Sequence, residues 1–179
     1  AHAQGVIHRD LKPANVFLST VNDSPDFVKV LDFGVAKIVN EGADATQMTQ
    51  AGAFFGTPQY MAPEQASDEA IDARADVYAL GVLMYEMCMG RPPFVGDNPL
   101  HVMLAQSRDK PPRFASINPD FTGPPQVEAV VFQALAKSRD ARQGNITVLA
   151  QQLEALARLL DDPSALDSAE AILPQALTS

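Results

Sequence analysis

The chain has no tryptophan and a single cysteine. One cysteine forms no internal disulfide, and no Cys or His residues stand at metal-ligand spacing. Cys88, within "LMYEMCMG", reads as a small core residue rather than a nucleophile. So little cysteine fits a reducing, cytoplasmic setting. Basic residues are also scarce. Lys and Arg number 13 against 22 Asp and Glu, for a net charge of -9. There is no basic stripe, so the usual footprint of nucleic-acid binding is missing. Long apolar runs are absent too. The best, "VYALGVLMYEMCMG", is interrupted by Glu86 and falls short of a bilayer crossing. The opening "AHAQGVIHRD" has neither the basic start nor the apolar core of a signal peptide.

What is present describes a globular chain. Apolar residues make up 46% of 179 positions, enough for one domain with a core. "AHAQG" reads as the last turn of a helix closed by Gly5, so the start is abrupt. Two apolar runs follow, "NVFLS" (15–19) and "FVKVL" (27–31), with the turn formers "TVNDSPD" between them. This predicts a β-hairpin. From Asp32 to Glu64 small and polar residues run without a period, the mark of a long functional loop.

The rest is helical in pattern. "RADVYALGVLMYEMCM" (74–89) is apolar nearly all round, which predicts a central buried helix ended by "GRPPF". "DNPLHVMLAQS" offers Asp97 or Asn98 as N-cap, with Pro99 after it, and puts His101 on a helix surface. "PPQVEAVVFQALAKS" sets Val127, Val130, Val131 and Leu135 on one stripe, and "ITVLAQQLEALARLL" sets Leu149, Leu153, Leu156 and Leu160 on another. The acidic residues 161–179 read as a tail or linker. The fold expected is mainly α with a small β-hairpin.

The chemistry is concentrated in "HRDLKPANV" (8–16) and in "LDFG" after the second apolar run. Antiparallel pairing places the start of one strand beside the end of the other. Asn15 and Asp32 are therefore expected close together, next to Asp10 and Lys12. Two oxygen donors there suit a hard cation such as Mg²⁺, which keeps other positions for water and phosphate. Asp10 is able to accept a proton from a hydroxyl, and Lys12 to neutralise charge on a transferring group.

In order and spacing these strings resemble the protein kinases. "HRDLKPAN" is similar to the catalytic loop, "DFG" (32–34) to the metal-binding turn and "APE" (62–64) to the end of the activation segment. The likeness continues through "DARADVYALG" and "KSRDARQGN", over about residues 1–160. It implies a protein-kinase C-terminal lobe, ATP and Mg²⁺ as cofactors, and proteins with Ser or Thr acceptors as substrates. It implies Asp10 as the base, Lys12 on the γ-phosphate, Asn15 and Asp32 as metal ligands, and Phe17 under the adenine. Asp76 resembles the residue that ties down the catalytic-loop backbone. Glu64 and Arg142 resemble a buried ion pair, although Gln143 stands where the family often has Pro. His8 is similar to the residue that packs on Phe33. Tyr78 stands where Trp is common.

Lys12 and "GTPQYMAPEQ" (56–65) are similar to the serine/threonine form, bacterial members in particular, with Thr57 favouring an alcohol acceptor. The resemblance also implies a phosphate site of Arg9 and Lys37 for a phosphorylated Thr49, or Thr46, in the loop.

No G-x-G-x-x-G occurs in these 179 residues, and no strand lysine with a helix glutamate partner precedes the loop. On the resemblance the N-terminal lobe is absent and the start reads as a truncation. By itself the chain is then expected to bind nucleotide weakly, turn over little and expose apolar surface. Two readings follow. One is the lower half of a serine/threonine kinase, from a parent with a possible membrane anchor. The other is a non-catalytic docking module, which has no need of Asp10, Asn15 and Asp32.

Overall fold

A computed structural model describes residues 1–21, 24–32, 57–67, 69–162 and 173–174. It is mostly helical, with one two-stranded antiparallel sheet. Among the described residues five α-helices follow the sheet: α1 (Arg74–Met89), α2 (Pro99–Arg108), α3 (Phe114–Ile117), α4 (Pro125–Ala134) and α5 (Ile146–Asp161). Short 3-10 turns lie at His2–Gln4, Pro13–Asn15, Pro58–Tyr60, Pro63–Ala66 and Arg139–Ala141.

The centre is α1, as its composition predicts. Val77, Tyr78, Val82 and Tyr85 are wholly buried, and only the Met87 side of the helix faces out. Gly90 ends it in the left-handed region at φ 74°, donating its N–H to the Glu86 carbonyl. α1 packs on α4 and α5. A methyl group on Gly81 would stand 2.9 Å from the Ala134 Cβ, so the crossing of α1 and α4 needs glycine there. Asn98, not Asp97, caps α2: its side chain accepts the Leu100 N–H at 2.9 Å, and Pro99 opens the first turn.

One core cluster joins α1, α4 and α5 through Val77, Val130, Leu149, Leu156 and Leu159, and Leu173 is buried in it. The other gathers Ala62, Tyr78, Tyr85, Phe114 and Leu135. Phe114 stands edge-on to Tyr85 and Phe121, with centroids 5.4 and 5.1 Å away. Cys88 is partly buried at the edge of this cluster, and burial pushes its thiol up, which suits packing rather than nucleophilic attack. Among the described residues no helix is long and apolar enough to cross a membrane.

Two expectations change. The hairpin strands run Val16–Val21 and Ser24–Val30, so most of the supposed turn is strand. Proline is tolerated in edge strands and at bulges, and both strands of a two-stranded ribbon are edges. A register shift between Ser19 and Val21 absorbs the extension. The buried stripe of α5 is Leu149, Gln152, Leu156 and Leu159, while Leu153 and Leu160 are exposed. An amide takes the place expected of a leucine. Gln143 donates to Gln152 Oε1 at 2.8 Å and to the Val130 carbonyl at 3.2 Å, and Gln152 donates to Gln133 at 3.2 Å. Because Gln152 both accepts and donates a bond here, a helix face with glutamine on it turns inward, while the Gln143 Oε1 is buried with no hydrogen-bond partner among the described residues.

Candidate active site

The loop from His8 to Asn15 is held from below by α1. Asp76, in the first turn of that helix, accepts the backbone N–H of Arg9 at 2.9 Å and of His8 at 2.8 Å. His2 adds a third bond to the same carboxylate at 2.7 Å. These bonds matter because Arg9 sits at φ 65°, a region that disfavours a side chain. A buried carboxylate with several N–H donors is satisfied, and it offsets the local strain. The position of His2 was not legible in the sequence, where it stands near the chain start with no motif around it.

His8 is buried and has both ring nitrogens engaged. Nε2 bonds the Leu31 carbonyl at 2.9 Å, and Nδ1 accepts the Asp10 N–H at 3.3 Å. A carbonyl only accepts and an N–H only donates, so these two bonds fit the tautomer with its proton on Nε2. The ring thereby links the loop to the end of the hairpin.

Asp10, Lys12 and Asn15 converge. Lys12 Nζ lies 2.8 Å from Asp10 Oδ2, with both side chains partly exposed. Asn15 is buried and donates its amide to the Asp10 carbonyl at 2.9 Å, with a long contact of 3.4 Å to Oδ2. That leaves the Asn15 amide oxygen as the end for a cation. The Leu31 N–H donates to the Asn15 carbonyl at 2.9 Å, so the hairpin pairing continues one step past Val16 and Val30. Asp32 follows directly, exposed, at φ 55°. Asn15 thus belongs to the 3-10 turn before the first strand, and Asp32 lies beyond the second. Phe17 is half exposed on the hairpin, as are Phe27 and Val28.

Thr57 opens the Pro58–Tyr60 turn and, with Arg9, Asp10, Tyr60 and Gln65, lines a pocket of about 10 Å³. Gln65 joins the two segments: it donates to the Arg9 carbonyl at 2.9 Å and accepts the Ala62 N–H at 2.9 Å. Nothing in the string "APEQ" pointed to this residue. Tyr60 donates to Glu86 at 2.5 Å, and burial with that carboxylate raises its pKa. Beneath the turn, Tyr78 donates to Gln106 Oε1 at 2.5 Å, and Gln106 donates to the Pro58 and Gln59 carbonyls. Tyrosine here supplies a hydroxyl that tryptophan lacks.

Glu64 and Arg142 are both buried and form a two-pronged pair at 2.7 and 2.8 Å. Arg142 also donates to the carbonyls of Ala136, Arg74 and Lys137. Phe33, Lys37, Thr46 and Thr49 lie outside the described residues.

A polar cavity of about 370 Å³ shares no residue with the loop. Its walls include Ser67, Glu69, Ser107, Lys137 and Arg139. Its cations are already engaged: Lys137 with the Gln106 carbonyl at 2.7 Å, Arg139 with Glu69 at 3.4 Å.

The family model described as "Protein kinase domain" matches residues 1–154. The chain belongs to the protein kinase domain family. It is similar to the serine/threonine-protein kinase pkn3 of Myxococcus xanthus, 40% identical over 156 residues, which is 87% of this chain and 28% of that protein. It is also similar to the serine/threonine-protein kinase PknB of Mycobacterium leprae, 44% identical over 146 residues, which is 79% of this chain and 21% of that protein. The relatives are bacterial kinases of the eukaryotic type, and the chain spans less than a third of the length of each. Within the kinase family, this arrangement of Asp10, Lys12 and Asn15 has the parts of a phosphoryl-transfer loop.

Proposed function

We propose that residues 1–160 are the C-terminal lobe of a serine/threonine protein kinase, followed by an acidic tail or linker. The whole catalytic domain would transfer the γ-phosphoryl group of Mg-ATP to Ser or Thr hydroxyls of proteins. The observation that carries this reading is Lys12 Nζ at 2.8 Å from Asp10 Oδ2, in a loop whose backbone is bonded to Asp76.

Asp10 accepts the proton of the incoming hydroxyl, and its partly exposed position leaves an approach for a substrate. Lys12, free to swing from Asp10 to a phosphate oxygen, neutralises charge on the transferring group. Thr57 shares a pocket with Asp10 and would help seat an alcohol acceptor. Asn15 and Asp32 fit a hard cation, since an amide oxygen and a carboxylate are its preferred donors. Among the described residues no cluster of three or more His, Cys, Asp or Glu is placed to hold a metal. Mg²⁺ bound by two protein donors would complete its shell from phosphate and water, and would supply charge neutralisation between the phosphates. Phe17, half exposed, offers an apolar face to a purine. Arg9 and Lys37 would receive the phosphate of a modified Thr49 or Thr46. The half-exposed hairpin fits a surface that a further part of the catalytic domain covers.

The test is phosphate transfer from labelled Mg-ATP to a Ser/Thr-containing protein by the full-length protein. Asp10→Asn is expected to lower kcat by about 10²-fold or more. Unchanged turnover in that variant would remove Asp10 as base, and no turnover by the wild-type protein would leave the docking module as the better account.

A further inference from the structure

We infer that Gln65 is a positioning residue for the base: it sets the orientation of the peptide that leads into Asp10. The inference rests on reading Asp10 as the base. The Arg9 carbonyl and the Asp10 N–H are two ends of one peptide group. Gln65 Nε2 donates to that carbonyl at 2.9 Å, and His8 Nδ1 accepts that N–H at 3.3 Å. The preceding N–H, of Arg9 itself, is held by Asp76 at 2.9 Å. Asp76 therefore fixes one side of Arg9 and Gln65 the other.

The need for a second hold follows from φ 65° at Arg9. A non-glycine residue there is in a sparsely populated region and relaxes unless its surroundings determine it. Of the two bonds on the next peptide, the one from Gln65 at 2.9 Å is shorter than the one to His8 at 3.3 Å, and rotation of that peptide swings the Asp10 side chain. Phosphoryl transfer depends on placing the base within hydrogen-bond reach of the hydroxyl, and small misplacements are costly.

The side-chain amide suits this task in a way its neighbours in chemistry do not. Its oxygen accepts the Ala62 N–H at 2.9 Å, so its nitrogen must face the Arg9 carbonyl. Gln65 stands at the third position of the Pro63–Ala66 turn, and its bond to Ala62 is half of a capping box. A cap alone would be served by glutamate. Only the amide also donates to Arg9. A pocket of about 10 Å³ is bounded by Arg9, Asp10, Thr57 and Gln65. Through Gln65 the end of the 57–66 segment and the catalytic loop share one amide.

The test compares Gln65→Glu, Gln65→Met and Asp10→Asn in the full-length protein, with steady-state kinetics, Tm and amide exchange at Asp10. Gln65→Glu keeps the acceptor for Ala62 and puts an oxygen against the Arg9 carbonyl. It is expected to lower kcat about tenfold while KM for ATP stays within about twofold. Gln65→Met loses both bonds and is expected to show the same fall in kcat with faster exchange at Asp10 than in the rest of the loop. If the glutamate variant does not fold, the methionine variant decides. Wild-type kcat and wild-type exchange at Asp10 in the folded variants would overturn the inference and leave Gln65 a turn cap. Activity retained by Asp10→Asn would instead overturn the reading of Asp10 on which it rests.

Discussion

The carboxylate of Asp76 accepts the backbone N–H of Arg9 at 2.9 Å while Arg9 holds φ 65°. The same carboxylate accepts from His8 and contacts His2. A residue of the central helix thus carries three bonds to the chain around the catalytic loop. Asp76→Asn leaves one acceptor oxygen and turns an NH₂ toward a donor. Hydrogen bonds to a charged group contribute roughly 1.5–3 kcal/mol, so a loss of about 3 kcal/mol is expected in urea denaturation. A change below about 0.5 kcal/mol would show that Arg9 keeps its conformation without Asp76.

Glu64 and Arg142 are the second buried charge relationship. Removing one partner strands the other, and the expected cost is about 3–5 kcal/mol. Arg142→Leu should cost more than Glu64→Gln, because three backbone carbonyls also lose their donor. Replacing both residues with leucine should recover part of the loss. A double-mutant cycle by denaturant unfolding checks this, and strict additivity would mean the pair is not coupled.

The face of α5 is tested by two adjacent leucines. Leu159 is 6% exposed in the core cluster and Leu160 is 60% exposed. Leu159→Ala is expected to cost roughly 2–5 kcal/mol and Leu160→Ala less than about 1 kcal/mol. Equal costs would return the stripe to Leu149, Leu153, Leu156 and Leu160.

Lys137 carries a pH dependence. Burial lowers its pKa to about 8, partly opposed by Asp109 and reinforced by Arg142. Its ammonium is 2.7 Å from the Gln106 carbonyl and 4.4 Å from the centre of the Phe94 ring. With the folded pKa below the unfolded one, the unfolded chain binds more protons between the two values. The contribution of Lys137 therefore rises with pH from about 8 toward the unfolded value of 10.5. Tyr60 and Tyr78 have raised pKa values and act in the opposite sense only above the ordinary tyrosine value of 10.0. Between those limits Tm in the wild type should gain relative to Lys137→Met as pH rises. Parallel Tm curves would show that this lysine does not titrate there.

Much of the fold was legible because helix signals are local. The buried composition of 74–89, the pair Asn98–Pro99 and the glycine at 90 mark their elements without any tertiary information. The convergence of the candidate residues was legible for a different reason: Asp10, Lys12 and Asn15 lie within six residues, so their spacing limits their geometry. The hairpin ends were misjudged because Ser, Pro and Asp read as turn formers, and an open ribbon edge tolerates them. The α5 stripe differs because its partners on α4 and at Gln143 turn Gln152 inward, which leucine spacing alone does not encode.

The sequence by itself determined where the helices and the hairpin lie and which candidate residues stand close together in the loop, since propensity, capping and short-range spacing act between near neighbours. Only the tertiary structure decided what holds the loop. Asp76 lies 67 positions from Arg9, and Gln65 lies 56 positions away. No periodicity encodes bonds across such separations. They arise when the buried packing of α1 against the loop, and of the 57–66 segment beside it, leaves backbone N–H and C=O groups that must find partners away from water.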